Sequence, residues 1–172
     1  NRNRFLLSGK EFLFTVPVRN QSSFRLIRNT EIMREQRWQK KVISTLHYSY
    51  EKAPYFKYVM PIVEDIFKKD DKFINNLALR SIDSICDYLG IGTEFVSSFE
   101  GYNNTNLKGQ DRIIDICLKE GAQYYINLPG GKDIYSKEKF KEQGIELSFL
   151  QPEYIEYKQF DNSFIPWLSI ID

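Results

Sequence analysis

The fold class is decided by GAQYYINLPGGKDIYSKEKFKEQGIELSFL, residues 121–150. Residues 123–128 have the composition of a strand, a Pro-Gly-Gly loop follows, and residues 145–150 form a second strand pattern. Between them, Ser136 is placed to cap a short helix that runs to Gln143. A strand, a helix and a strand in this order predict two parallel strands joined by a right-handed crossover.

The residues just before this stretch extend the same pattern. Residues 93–97 form another strand pattern, and residues 110–120 carry the apolar spacing of a helix that Gly121 closes. Three strands that alternate with two helices predict an α/β fold. We therefore expect a mostly parallel sheet with flanking helices.

The first half of the chain predicts two additions to this sheet. An N-terminal β-hairpin is expected over residues 4–18, with its turn at Ser8-Gly9-Lys10, and a short strand over residues 24–27. A three-helix insertion follows, with helices predicted over residues 34–51, 57–69 and 70–89. The 172 residues are enough for one domain with a real core, so a single α/β domain over residues 1–172 is expected.

Composition excludes several classes of protein. Apolar residues make up 42% of the chain and aromatics 15%, which excludes a disordered protein. The net charge of +1 argues against a nucleic-acid binder. No apolar run approaches the roughly 20 residues of a membrane helix and no signal peptide is visible, so a cytoplasmic protein without membrane insertion is predicted.

The charge is nevertheless unevenly distributed along the chain. Residues 1–41 hold ten basic and three acidic side chains, a balance of +7, whereas the remainder has a balance of −6. This segment forms a solvated basic face, a surface that attracts an anionic small molecule, or a surface that pairs with an acidic segment absent from this sequence. The two cysteines and the one histidine have no zinc-ligand spacing, so no metal-ligating residue is predicted, while magnesium binding by carboxylates alone stays open.

The loop after the first strand of residues 121–150 is a candidate anion site. Asn127, Gly130, Gly131 and Lys132 lie where a parallel sheet presents the carboxyl ends of its strands to ligands. Two glycines allow backbone amides to approach an anion, and the lysine adds a positive charge. The spacing is neither a Walker loop nor a dinucleotide fingerprint. The alternative is an ordinary turn that needs glycines for positive φ.

Two further side chains are candidates for chemistry. His47 is the only histidine, so any imidazole general base must be this residue, although it also suits a hydrogen-bonded position at the edge of a helix. Arg112 lies near a helix N-terminus, where it is either a surface residue or a contact to an anion held by the helix end.

Five segments of the chain resemble the WbqC-like proteins of bacteria, and they occur in the order found in that family. They are residues 1–4 (NRNR), 50–56 (YEKAPYF), 112–117 (RIIDIC), 121–132 (GAQYYINLPGGK) and 164–172 (FIPWLSIID). Family members normally open with a strand and an aromatic loop before the Asn-Arg pair. The resemblance therefore implies that this chain lacks its native N-terminal strand-loop segment.

The resemblance also implies a function. The family is encoded in O-antigen and other surface-polysaccharide gene clusters, and a glycine transfer role has been proposed for a member. Transfer of an acyl or aminoacyl (glycyl) group to a sugar or sugar nucleotide is therefore expected, and it requires a base and an anion-stabilising donor site. For such a transfer we assign His47 as the base. The Gly130 and Gly131 amides with Lys132 are assigned to a donor or phosphate site, and Arg112 to a second anion contact. The sugar-binding wall is assigned to Tyr55, Phe56 and Tyr135.

Two other functions remain open at this stage. One is a non-catalytic binding or assembly module of the polysaccharide pathway, and the other is a nucleotidyl transferase, which requires magnesium and a nucleoside triphosphate. The sequence identifies no cofactor, and it leaves homo-oligomer formation open.

Overall fold

The computed structural model describes residues 2–20, 22, 24–35, 37–97, 100–161 and 163–172. The chain forms two compact units. Unit 1 comprises Asn1–Phe95 and Glu156–Asp172, and unit 2 comprises Val96–Ile155. None of the helices within these described ranges is long and apolar enough to cross a membrane.

Unit 1 contains a hairpin, three helices and the C-terminal tail. Its elements are β1 (Arg2–Leu7), β2 (Lys10–Thr15), a 3-10 turn (Ile27–Asn29), α1 (Arg37–Tyr50), α2 (Phe56–Lys68) and α3 (Ile74–Leu89). The predicted hairpin is confirmed, because β1 and β2 pair antiparallel. Ser8 and Gly9 both have positive φ, 51° and 72°, which suits the twist of a two-residue hairpin turn.

The core of unit 1 lies between the hairpin and the helices. Val42, Leu46 and Tyr50 are buried on one face of α1, as their helical spacing predicts, and pack in one cluster with the fully buried Phe5 of β1. Partly buried apolar residues of the C-terminal tail pack against the same cluster. The tail is therefore part of the unit 1 core, although it is distant in sequence.

Unit 2 is a small β-α-β arrangement. Its elements are a 3-10 turn (Glu100–Tyr102), α4 (Gly109–Lys119), β3 (Tyr124–Asn127), a 3-10 turn (Pro129–Gly131), α5 (Lys137–Glu142) and β4 (Glu146–Phe149). β3 and β4 pair in parallel, as predicted. The Ser136 hydroxyl accepts a hydrogen bond from the Lys139 amide and so caps α5. The fully buried Phe140 stacks on Tyr125, with ring centroids 5.4 Å apart.

The mixed α/β class is consistent with this structure, but the prediction of a mostly parallel sheet is wrong. The described residues form two separate two-stranded sheets, of which β1–β2 is antiparallel and only β3–β4 is parallel. Residues 93–97 and 24–27 are not strands in the structure. These two segments are exposed, and no strand of the described residues pairs with them. Strand propensity without a pairing partner therefore does not form a sheet there. The single-domain expectation for residues 1–172 stays a prediction.

Candidate functional site

His47 forms a hydrogen-bonded pair with a carboxylate that the sequence analysis did not single out. Its Nε2 lies 2.8 Å from Oε1 of Glu64 on α2. A carboxylate only accepts hydrogen bonds, so Nε2 is the donor to Glu64, and in the neutral ring Nδ1 is the nitrogen with the lone pair. Within the described part of the chain, Nδ1 has no hydrogen-bond partner, and the side chain is about half exposed. The ring therefore has one nitrogen oriented by a carboxylate and one available as a base.

Two neighbours hold this pair in place. The Phe56 ring meets the imidazole edge to face, with centroids 5.1 Å apart. Lys68 Nζ lies 3.3 Å from Oε2 of Glu64. The hydrogen bonds from His47, first, and from Lys68 hold the pKa of the Glu64 carboxyl below its ordinary value. Glu64 is therefore ionised at neutral pH and fixes the imidazole tautomer.

Phe56 also lines a pocket of about 270 Å³ in unit 1. Tyr55, which is 67% exposed, and Lys158 line the pocket, and its remaining lining is largely apolar. Asp172 and Tyr157 provide polar groups to the same pocket. The predicted aromatic wall residues Tyr55 and Phe56 thus belong to a concave site, and Phe56 also contacts the imidazole.

The carboxylate of Asp172 is held by three donors. Its Oδ1 accepts from the Tyr50 hydroxyl at 2.6 Å, and its Oδ2 accepts from the Tyr157 hydroxyl at 2.7 Å and from Gln159 Nε2 at 2.6 Å. Gln159 is only 4% exposed and exchanges two hydrogen bonds with the backbone of Ile165. This fixed amide sets the position of the carboxylate in the pocket.

The two phenols of this cluster are stabilised in their neutral form. Burial, first, and the hydrogen bond to Asp172 raise the pKa of Tyr50 above its ordinary value. Burial and the same carboxylate also raise the pKa of Tyr157. Both hydroxyls therefore remain donors to Asp172 over the physiological pH range.

The glycine loop of unit 2 is shaped by packing rather than by positive φ. A Cβ on the buried Gly131 would lie 2.5 Å from Asn127 Nδ2 and 3.0 Å from Cδ2 of Tyr135, whereas Gly130 has open space at that position. Neither glycine has a positive φ. The structure thus brings Asn127, Gly131 and Tyr135 together, and glycine at position 131 permits that close approach.

The hydrogen bonds of this loop limit what it offers to an anion. The Gly131 amide donates to the Leu128 carbonyl at 3.0 Å, and the Lys132 amide donates to the Pro129 carbonyl at 3.2 Å. The Lys132 side chain is exposed. An anion at this loop would therefore meet the lysine ammonium, while these two amides are occupied within the turn.

Arg112 takes part in a network on α4. Its Nε donates to Oδ1 of the buried Asn104 at 3.2 Å, and Asn104 Nδ2 donates to Asp115 at 2.6 Å. Lys119 Nζ lies 2.7 Å from the same Asp115 oxygen. The hydrogen bonds from Lys119 and then from Asn104 hold the pKa of Asp115 below its ordinary value. This network fastens the preceding loop to α4, and an anion contact by Arg112 stays a prediction.

The sequence analysis missed Glu64, Tyr157 and Asp172 as site residues. Glu64 and His47 lie on different helices, so no local spacing connects them. Asp172 belongs to residues 164–172, one of the five segments that resemble the family, and this resemblance was the available signal. Within the described residues, no group of three or more His, Cys, Asp or Glu side chains is placed to hold a metal ion.

These features define a mixed α/β protein with a carboxylate-oriented histidine and a separate pocket lined by aromatic side chains, Asp172 and Lys158. The sequence matches the WbqC-like protein family over residues 1–172, and the chain belongs to that family. It is similar to the uncharacterized protein Rv1507c of Mycobacterium tuberculosis, with 27% identity over 176 aligned residues that cover 100% of this chain and 74% of the relative. No solved structure matches the chain.

Proposed function

We propose that this protein transfers an acyl or aminoacyl (glycyl) group to a sugar or sugar nucleotide in the cytoplasm, during bacterial surface-polysaccharide (O-antigen) synthesis. The observation that carries the proposal is the 2.8 Å contact between His47 Nε2 and Glu64 in a half-exposed position. A base oriented by a carboxylate is the arrangement that removes a proton from an attacking hydroxyl or amine.

In the proposed reaction, Nδ1 of His47 takes the proton of an acceptor hydroxyl or amine. The oxygen or nitrogen of that group attacks the acyl carbon of the donor at the same time. The new bond forms as the bond to the leaving group breaks, and the imidazolium returns its proton to the leaving group. Glu64 stabilises the imidazolium because its carboxylate remains ionised. Catalysis of this type contributes about 10²–10⁴-fold to a rate.

The remaining predicted residues have supporting roles in this proposal. Lys132, beside Gly130 and Gly131, provides the positive charge for a donor or phosphate group, with Arg112 as a second anion contact. Tyr55 and Phe56 form the sugar wall in unit 1, and Asn127 and Tyr135 shape the loop in unit 2. The role of Lys132 is supported by its exposed side chain, which follows the loop where Gly131 packs against Asn127 and Tyr135.

The proposal is tested by thermal unfolding against sugar nucleotides, acyl-CoA, free glycine, and ATP with magnesium. Both tryptophans, Trp38 and Trp167, lie in unit 1, so unfolding is followed by calorimetry, which also reports on unit 2 with Lys132. A ligand at 100 times its Kd stabilises the native state by about 2.7 kcal/mol, which raises the midpoint.

We expect a sugar nucleotide to raise the midpoint, and replacement of Lys132 by Ala to remove most of that shift. Lys137→Ala, an exposed lysine of α5, is the matched control and should retain the shift. A shift with ATP and magnesium alone would favour a nucleotidyl transferase. No shift with any ligand would favour a non-catalytic assembly module, and either result would overturn the proposal.

A further inference from the structure

The pocket beside Phe56 is lined by both polar and aromatic side chains. Asp172 and Tyr157 line it together with Tyr55. Tyr55 is 67% exposed and makes no contribution to the buried core. Such an exposed ring at the mouth of a concave, partly apolar site is a feature of ligand pockets.

The Asp172 carboxylate has capacity left for a ligand. A carboxylate has roughly four lone-pair positions. Tyr50, Tyr157 and Gln159 occupy three of them, as counted within the described residues. A ligand hydroxyl can donate to the remaining position, and it would meet a carboxylate already fixed by these donors.

The chemistry of the lining selects the class of ligand. Lys158 lines the same pocket as Asp172, so the lining carries one charge of each sign and favours neither a cation nor an anion. The volume of about 270 Å³ lies just below that of sites for drug-sized molecules, so it suits a single ring. Aromatic side chains accept the apolar face of such a ring, while a donor and an acceptor accept its hydroxyls.

From these observations we infer that this pocket binds one uncharged pyranose ring, stacked on Tyr55 and donating a hydroxyl hydrogen bond to Asp172. The inference rests on the proposed function, since it assigns the pocket to the sugar acceptor of the transfer. Phe56 lines the pocket and also meets the His47 ring, with centroids 5.1 Å apart, so this one side chain contacts both the pocket and the proposed base.

The test is saturation-transfer NMR titration of the whole protein with methyl α-glucopyranoside and methyl N-acetylglucosaminide as probes. We expect at least one probe to bind the wild type, and Tyr55→Ala to weaken its binding about tenfold, the scale of an anchoring aromatic residue. Tyr55→Phe keeps the ring and should restore binding to within about twofold of the wild type.

Two controls separate stacking and hydrogen bonding from general effects. Tyr58→Ala removes an exposed ring of α2 that does not line the pocket, and this variant should bind the probe as the wild type does. The fully O-methylated probe cannot donate to Asp172 and should not bind. Binding by neither pyranoside, equal binding by Tyr55→Ala, or equal binding by the O-methylated probe would overturn the inference.

Failure of the inference differs from failure of the proposed function. If the protein forms an acylated sugar but Tyr55→Ala leaves KM for the acceptor unchanged, the transfer stands and its acceptor site lies elsewhere. If a pyranoside binds through Tyr55 but no acyl group is transferred, the pocket stands and the transferase proposal fails.

Discussion

Replacement of Tyr50 by Phe should destabilise unit 1 by about 3 kcal/mol. The Tyr50 hydroxyl is buried, donates to the Asp172 carboxylate at 2.6 Å and accepts from the Leu6 amide of β1 at 2.8 Å. A hydrogen bond to a charged group contributes about 1.5–3 kcal/mol, and a buried amide left without a partner costs about 1–3 kcal/mol. The phenyl ring keeps its packing, so these polar terms account for the loss.

The assay is urea unfolding monitored by tryptophan fluorescence, which reports on unit 1 because Trp38 and Trp167 both lie there. Tyr48→Phe is the matched control, since Tyr48 is on the same helix and 72% exposed, and it should change stability by less than about 0.5 kcal/mol. A loss of less than about 1 kcal/mol in Tyr50→Phe, or a loss equal to that of the control, would refute the reasoning.

The pH dependence gives a second measurement on the same variant. Burial and the Asp172 hydrogen bond raise the pKa of Tyr50 in the folded state above the ordinary value of 10.0. A pKa that is higher in the folded state than in the unfolded state contributes stability. This stability is fully present below the pKa of the unfolded state and is lost as the pH rises toward the pKa of the folded state. The stability difference between wild type and Tyr50→Phe should therefore be constant below pH about 10 and shrink above it.

Three further predictions concern the other clusters. Gly131→Ala should destabilise unit 2 by about 1–2 kcal/mol because the new Cβ would lie 2.5 Å from Asn127 Nδ2. Gly130→Ala, which has open space at that position, should be nearly neutral, and hydrogen exchange of the β3 amides measures both variants. Asn104→Ala removes a buried amide with two hydrogen bonds and should raise the exchange of α4 amides at least tenfold, whereas Asn106→Ala at an exposed position should not. The pKa of Glu64 is lowered in the folded state, which contributes stability above the pKa of the unfolded carboxyl, near 4.3. This stability is lost as the pH falls through the pKa of the folded state, so Glu64→Gln should reduce the acid sensitivity of unit 1. Equal acid sensitivity of the variant and the wild type would contradict this.

Local patterns allowed most secondary structure to be predicted from the sequence. The hairpin turn at Ser8 and Gly9, the buried face of α1, and the Ser136 cap of α5 all follow from residues close together in the chain. Strand pairing depends on partners that are distant in sequence. Residues 93–97 have strand composition but no partner, so propensity alone led to an incorrect sheet.

The candidate site was only partly predictable for the same reason. Residue chemistry identified His47, the Tyr55–Phe56 wall and the glycine loop. The contact of His47 with Glu64 joins two helices across 17 positions, and the contact of Tyr50 with Asp172 joins α1 to the C-terminal tail across 122 positions. No periodicity relates such residues, so only the packed structure reveals them.

The central claim is that His47 acts as the base in transfer of an acyl or glycyl group to a sugar. Its most direct test is mass spectrometry of a sugar nucleotide incubated with the protein and an isotope-labelled acyl or glycyl donor. We predict labelled sugar with wild type, about 100-fold less with His47→Gln, and no change with Lys40→Gln at an exposed position of α1. Unlabelled sugar with the wild type, or equal labelling by wild type and His47→Gln, would contradict the account.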